Sequence, residues 1–110
     1  MRHIAKHEFE TYVINSGKIV IVDFWAPWCQ PCKLYDTVLK AIENKYSRHV
    51  EIIKINVDDE HELAKVYDIK AIPTTLIFTN GIIQSRAGGL STEIKLSEQI
   101  EKIKEKFSVK

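Results

Sequence analysis

The sequence predicts an α/β domain with a central mixed sheet of four to five strands, flanked by four helices. Two continuous apolar runs, residues 18–25 (KIVIVDFW) and 50–58 (VEIIKINVD), are typical of strands buried on both faces of a sheet. Two β-rich runs flank Asn80-Gly81 within residues 74–86 (TTLIFTNGIIQSR), and this pair favours a two-residue hairpin turn. Segments of helical periodicity separate the runs. The predicted sheet is therefore parallel in its early part and antiparallel at the hairpin.

The first half of the chain is predicted to contain a weak strand near His3–Lys6 and a short helix over His7–Ile14. This helix turns Phe9, Val13 and Tyr12 towards the core. The first apolar strand follows, and a second helix begins at the cysteines. The inward-facing residues of that helix recur at spacings of three and four: Tyr35, Val38, Leu39, Ile42 and Tyr46.

The second half is predicted to contain one helix before the hairpin and one after it. Asp58 or Asp59 is expected to cap the earlier helix. Its packed residues are Leu63, Val66 and Tyr67. After the break at Gly88–Leu90, Ser91 is expected to cap the closing helix. The residues that line the inner face of that helix are Leu96, Ile100, Ile103 and Phe107.

Length and charge restrict the class of protein. The chain has 110 residues, which predicts one domain over residues 1–110. Its 16 basic and 15 acidic residues give a net charge of +1, which provides no electrostatic footprint for nucleic acid. The longest apolar run, Ile19 to Val22, is too short for a membrane span, and the amino terminus has no apolar signal-peptide region. We therefore expect a cytoplasmic protein that binds neither nucleic acid nor membranes.

Both cysteines of the chain lie in residues 24–33 (FWAPWCQPCK). Residues three apart at a helix start share one face, so the sulfurs of Cys29 and Cys32 can meet. Cys29 falls in the first turn, where free N–H groups and the helix dipole favour an anion by about 0.3–1 kcal/mol. A thiolate there is the useful nucleophile for disulfide exchange, with Cys32 acting second as the resolving thiol. Pro31 stiffens the loop through its fixed φ.

A structural staple and a metal site are the alternatives for this pair. A disulfide that closes a loop of four residues removes only about 2 kcal/mol of unfolded-chain entropy, so it contributes little to folding and suits a reversible carrier. A metal site needs two further ligands. Only His3 and His7 have ligand-like spacing, and they precede the cysteines rather than follow them. The pattern therefore favours a redox pair without a metal.

Two charged residues interrupt the apolar strands. Asp23 is expected to be buried, which disfavours its charged form and raises its pKa. A buried acid near Cys32 could relay the proton of that thiol, whereas the alternative is an inert, hydrogen-bonded carboxylate at a strand end. Lys54 is the candidate to pair with Asp23, and the alternative is a lysine whose ammonium reaches the surface.

Four segments in the same order and spacing resemble the thioredoxin family over nearly the whole chain. Residues 22–33 (VDFWAPWCQPCK) are similar to its active-site segment, and residues 54–59 (KINVDD) to its third strand. Residues 71–81 (AIPTTLIFTNG) are similar to the segment around its cis-proline, and residues 87–89 (AGG) to the glycine turn that lines its substrate groove. The resemblance implies the thioredoxin fold.

The resemblance also implies roles for the redox residues. It makes Cys29 the attacking thiol, Cys32 the resolving thiol and Asp23 a buried proton relay with Lys54 beside it. Trp25 would pack beneath this site.

For substrate binding, the resemblance implies that Ile72-Pro73 is a cis peptide facing the cysteines. The backbone of Ile72 would pair with an extended substrate segment. The substrate-binding residues would be Trp28, Gln30, Pro31, Ile72, Pro73 and Gly88. The chain departs from the family at two positions of this helix, where Gln30 replaces the usual glycine and Thr37 replaces the usual kink-forming proline.

The function implied by the resemblance is reduction of disulfides in protein substrates by a monomeric protein with no cofactor of its own. A flavin-containing thioredoxin reductase that uses NADPH would restore the dithiol. Two alternatives remain at this point. One is an oxidant or isomerase on the same fold, and the other is a binding module whose cysteines are incidental.

Overall fold

The computed structural model describes residues 1–107 as a five-stranded mixed sheet with helices on both faces. The strands are β1 (Arg2–His3), β2 (Ile19–Trp25), β3 (Val50–Asn56), β4 (Thr74–Thr79) and β5 (Ile82–Gly88). The helices are α1 (Gln30–Lys45), α2 (His61–Val66) and α3 (Glu93–Phe107), preceded by a 3-10 turn at Lys6–Glu8 and a π-helical turn at Glu10–Ile14. The predicted fold class is confirmed.

The strands lie in the order β1-β3-β2-β4-β5, which places β3, β2 and β4 inside the sheet and β1 and β5 at its edges. β1, β3 and β2 are parallel, whereas β4 is antiparallel to both β2 and β5. The hairpin joins β4 to β5 through Asn80 and Gly81, whose φ angles are +51° and +79°. Positive φ at both positions is what a two-residue turn of type I′ requires, so the hairpin prediction is confirmed.

The core has two halves because both faces of the sheet are covered. Alternate residues of a strand point to opposite faces, so Ile19 and Ile21 pack against α1 and α3. Val20, Val22 and Phe24 instead join the cluster formed with the amino-terminal helical segment and α2. The interpretation of β2 as a strand buried on both faces is confirmed. No helix within residues 1–107 combines the length and the apolar character needed to cross a bilayer.

The amino-terminal bounds differ from the prediction. The expected weak strand near His3–Lys6 is present but begins one residue earlier and is shorter, at Arg2–His3. Its pairing with β3 ends at Ile4, whose N–H donates to the Lys54 carbonyl over 3.2 Å. The Glu8 carboxylate then accepts the Ala5 N–H over 3.0 Å and starts the 3-10 turn. The expected helix at His7–Ile14 is present as two helical turns of different type.

Both capping predictions are wrong. Asp58 does not cap α2, because its carboxylate accepts the indole N–H of Trp28, and Asp59 does not cap it either. α2 begins after Glu60 without a side-chain cap. At α3, the hydroxyl of Thr92, rather than Ser91, accepts the Lys95 N–H over 3.1 Å.

Two residues of the predicted inner faces are exposed. Leu63 is buried and Tyr67 packs against Phe9, Phe24 and Phe78, but Val66 is 70% exposed. In α3, Phe107 is 37% exposed, whereas the other three predicted positions are buried. Both errors fall at the last residue of a helix.

Candidate active site

The two cysteines occupy the start of α1, immediately after the carboxyl end of β2. Cys29 is the N-cap residue with extended φ and ψ of −88° and 106°, and its Sγ accepts the backbone N–H of Cys32 over 3.2 Å. The two residues are joined by a disulfide, with their Cα atoms 5.3 Å apart. The predicted redox pair is therefore within bonding reach, and Cys29 lies one position before the first helical turn.

The two sulfurs differ in their access to solvent. Cys29 is 5% exposed and Cys32 is 1% exposed, so Cys29 is the member of the pair that an incoming group reaches first. Gln30 and Pro31 lie between them and are both exposed. Because Pro31 is the second residue of α1, its missing N–H leaves no hydrogen bond unmade.

The segment before β4 lies directly beside Cys29. Thr74 pairs with Phe24 near the end of β2, and this register brings Ile72 and Pro73 next to the cysteine loop. The Ile72-Pro73 peptide bond is cis, as the resemblance implies. The Ile72 carbonyl oxygen lies 3.9 Å from Cys29 Sγ.

Gly88 completes the surface on the far side of Pro73. It pairs with Thr74 across the hairpin, and the next residue, Gly89, donates its N–H to the Pro73 carbonyl over 2.8 Å. A Cβ built on Gly88 meets no described heavy atom within 4 Å. The space above Gly88 is therefore open, whereas Pro73 itself is buried.

Trp28 forms the opposite rim of this surface. Its side chain is 69% exposed, and its indole Nε1 donates to Asp58 Oδ2 over 3.0 Å, which holds the ring in place. A shallow cavity of about 350 Å³ separates Trp28 from the segment before β4. The residues that line it are Trp28, Val57, Ile69, Lys70, Ala71 and Ile72.

Four of these lining residues were not predicted. Val57, Ile69, Lys70 and Ala71 line the cavity only because the loops after β3 and α2 meet beside Cys29. The apolar character of Ile69 and Ala71 next to Ile72-Pro73 was a signal available in the sequence. The sequence around Val57 continues the apolar pattern of β3, so it does not mark Val57 as a residue of the site.

Asp23 and Lys54 form a buried ion pair behind the cysteines. They face each other on β2 and β3, with side chains 0% and 2% exposed, and Nζ lies 2.6 Å from Asp23 Oδ2. Asp23 Oδ1 has no hydrogen-bond partner among the described residues. Burial raises the pKa of Asp23 to about 6, although the charge and the hydrogen bond of Lys54 oppose that rise. The predicted pairing is present, and the carboxylate is poised to titrate near neutral pH.

The ion pair has two polar neighbours on α1 that the sequence analysis missed. The carboxylate of Asp36 also accepts a hydrogen bond from the Lys54 ammonium. Tyr35, predicted only as an apolar core residue, shares a hydrogen bond of 2.8 Å with the Thr75 hydroxyl, and burial raises its pKa to about 12. The four-residue interval from Cys32 to Asp36 was the available signal, because it places both on one helix face.

Trp25 packs between this ion pair and the cysteines. It contacts the cluster that contains both cysteines, and the Lys54 ammonium lies 5.1 Å from its ring centroid. The ring of His3 meets it edge-on, with centroids 5.5 Å apart. Within residues 1–107, His, Cys, Asp and Glu form no group of three that could hold a metal ion.

Comparison with known proteins agrees with this geometry. The thioredoxin family profile matches residues 1–102. A thioredoxin from Buchnera aphidicola is 37% identical over 95 residues, which cover 86% of this chain and 88% of that protein. A thioredoxin from Porphyra purpurea is 45% identical over 78 residues, covering 71% of this chain and 73% of that protein. The M-type chloroplastic thioredoxin of Spinacia oleracea is 38% identical over 102 residues, covering 93% of this chain and 56% of that protein. With its disulfide-bonded CxxC pair at the start of a helix, this chain belongs to the thioredoxin family.

Proposed function

We propose that this protein is a protein-disulfide reductase that cycles between the Cys29-Cys32 dithiol and its disulfide. The Cys29 thiolate attacks one sulfur of a substrate disulfide and displaces the other as a thiolate. Cys32 then loses its proton and attacks Cys29, which forms the internal disulfide and releases the second substrate thiol. Two electrons and two protons pass to the substrate, and a flavin-containing thioredoxin reductase returns them from NADPH.

The observation that carries this proposal is the position of Cys29 Sγ at the start of α1. There it already accepts the Cys32 N–H, and it lies where the helix dipole favours a negative charge. Direct N–H donation to a thiolate is charge-assisted and about twice as strong as a neutral hydrogen bond. The same interactions are weaker for a neutral thiol, so they lower the thiol pKa and supply the nucleophile.

The proposed relay for the second step is Asp23, assisted by Lys54. With a pKa raised to about 6, Asp23 is mostly ionised at pH 7 and still basic enough to accept a proton. Asp23 Oδ1, which accepts no hydrogen bond within residues 1–107, can receive that proton. The Lys54 ammonium limits the cost of the buried negative charge before the proton arrives.

The proposed substrate surface runs from Trp28 across Ile72 and Pro73 to Gly88. An extended substrate segment would hydrogen-bond to the backbone of Ile72 as a short added strand. Open space at Gly88 and the exposed face of Trp28 support such an approach. Exposed Gln30 and Pro31 would contact the substrate or the reductase from the cysteine loop. We propose further that the protein acts as a cytoplasmic monomer.

The test is reduction of insulin disulfides with NADPH and a thioredoxin reductase, followed by NADPH consumption. We expect turnover by the wild-type chain and none by the double variant Cys29→Ser/Cys32→Ser. Equilibration with glutathione buffers then gives the direction of the reaction. A strongly oxidising potential would contradict the reductase in favour of an oxidant or isomerase, and absence of turnover would favour a binding module.

A further inference from the structure

The Lys54 ammonium has two carboxylate partners that come from different elements. Asp23 on β2 accepts one hydrogen bond over 2.6 Å, and Asp36 on α1 accepts another. Both acceptors therefore lie within hydrogen-bonding reach of a single nitrogen, although only the Asp23-Lys54 pair belongs to the proposed reaction.

The three side chains form a path from the core to solvent. Asp23 is 0% exposed and Lys54 is 2% exposed, whereas the side chain of Asp36 is 44% exposed. Asp36 is consequently the member through which bulk water contacts this charged group. Its exposure also means that its negative charge needs no neutralisation by Lys54, so the ion pair is not required to satisfy Asp36 itself.

Asp36 is also tied to the resolving cysteine. It follows Cys32 by four residues in α1, so the two side chains lie on one helix face, one turn apart. Its hydrogen bond links that face of α1 to the Lys54 ammonium, which Asp23 also binds. The resolving cysteine and the buried carboxylate are thus connected through Asp36 and Lys54.

We propose that Asp36 is a positioning residue for the resolving step: it shares the Lys54 ammonium with Asp23 and thereby sets how readily Asp23 takes the proton of Cys32. This inference rests on the proposed relay role of Asp23. Asp36 forms and breaks no covalent bond. The proton still passes from Cys32 Sγ to Asp23, and the electron pair left on Cys32 forms the bond to Cys29.

Asp36 acts on the pKa of Asp23 in two ways, and both raise it. It competes with Asp23 for the Lys54 ammonium, and it adds a second negative charge near the first, so both parts favour the protonated form of Asp23. The pKa of Asp23 is accordingly raised by Asp36, after the larger effect of burial.

The other polar and titratable groups around this cluster come from several elements. Tyr35 and Cys32 lie on α1, and His3 lies on β1, opposite Lys54 in the ladder. Burial and the Lys54 charge lower the pKa of His3, so near neutral pH its ring adds little positive charge beside Lys54. The hydroxyl of Tyr35 is bound to Thr75 and, with a pKa of about 12, stays neutral over the same range.

The test compares Asp36→Asn, Asp36→Glu and Glu98→Gln with the wild-type protein. Asn keeps the shape of Asp36 without its charge, and Glu restores the charge. Glu98 is an exposed carboxylate on α3 with no ion pair or hydrogen bond among the described residues, so its variant makes the same change in net charge elsewhere.

Two quantities are measured for each variant. Carbon-13 NMR gives the titration midpoint of the Asp23 carboxyl. Stopped-flow reaction with an aromatic disulfide reagent whose thiol product is coloured gives the pH dependence of the resolving step, as release of the second thiol. We expect Asp36→Asn to lower the Asp23 midpoint, and the acid limb of the resolving rate, by about 0.5–1 pH unit. Asp36→Glu and Glu98→Gln should stay near the wild-type values.

The inference is overturned if the Asp23 midpoint in Asp36→Asn stays at the wild-type value, or if Glu98→Gln moves it equally. It is also overturned if the Asp23 midpoint moves in Asp36→Asn while the acid limb of the resolving rate stays at its wild-type pH. Asp23→Asn separates this failure from that of the relay. An acid limb that survives in Asp23→Asn contradicts the proposed relay, and with it the step on which Asp36 acts, whereas an unmoved midpoint in Asp36→Asn contradicts the role of Asp36 alone.

Discussion

Lys54 Nζ and Asp23 Oδ2 lie 2.6 Å apart on adjacent strands, and both side chains are buried in the core. Such a pair is expensive to bury and often contributes no net stability. Its presence inside two apolar strands is more easily explained by chemistry at the cysteines than by folding. This conflict between stability and reactivity has measurable consequences.

Replacing Asp23 by Asn should stabilise the folded protein at neutral pH. The folded-state pKa of about 6 lies above the ordinary value of 3.8. The folded protein therefore binds this proton more tightly than the unfolded chain, and stability falls as pH rises between these two values. The difference corresponds to about 3 kcal/mol at pH 7. Asp23→Asn should recover most of it at pH 7 and almost none below about pH 4.

Urea unfolding of the oxidised protein at both pH values measures this effect. The exposed carboxylate variant Glu98→Gln serves as the control and should show no gain at either pH. A variant that is equally or less stable than wild type at pH 7 would show that the carboxylate is not under strain from burial.

The two cysteine variants should behave differently towards a disulfide substrate. Cys32→Ser retains the nucleophile at the start of α1 but cannot resolve, so we expect it to accumulate a mixed disulfide with the substrate. Cys29→Ser leaves only the more buried thiol, which should form no adduct. Non-reducing electrophoresis or intact mass measures the adduct, and equal trapping by both variants would reverse or remove the assigned roles.

Gly88→Val should impair activity on proteins without loss of stability. A Cβ at Gly88 enters open space, and the residue already has ordinary strand geometry, so the free energy of unfolding should change by less than about 0.5 kcal/mol. The added side chain would project over the proposed substrate surface. We expect kcat/KM for insulin to fall about tenfold, equivalent to about 1.4 kcal/mol, and the rate with a small aromatic disulfide to be retained.

Gly17→Val is the matched control for Gly88→Val. A Cβ at Gly17 also meets no described atom within 4 Å, but this residue precedes β2, about 20 Å from the cysteines that follow the other end of the strand. Equal loss of activity in the two valine variants would argue against a substrate surface at Gly88.

Gly81→Ala should destabilise the hairpin without affecting the cysteines. Gly81 has a φ of +79°, and a Cβ there would lie 3.0 Å from Ile14 Cγ2 and 3.1 Å from the Ile14 carbonyl oxygen. The left-handed conformation alone costs a non-glycine residue about 1–2 kcal/mol, and the contact with Ile14 adds to this. Thermal unfolding measures the loss. Gly17→Ala, which lacks both problems, should unfold close to the wild-type temperature.

Local patterns were sufficient for most of the fold. The continuous apolar run at residues 18–25 indicated a strand covered on both faces, and Asn80-Gly81 indicated the turn that the observed φ angles require. The same holds for the pairing of Cys29 with Cys32 at a helix start. These features follow from backbone preferences and from periodicities of two and 3.6 residues, which act within a few residues of each position.

The tertiary structure decided every feature for which several partners compete. Asp58 is of a residue type that commonly caps helices. Its carboxylate instead accepts a hydrogen bond from the indole of Trp28, which is distant in sequence. Asp36 was not among the predicted site residues, yet it shares the ammonium of Lys54 with Asp23. A side chain chooses among partners only after separate elements have packed, and the choice depends on burial and distance across the fold, which no local pattern of residues records.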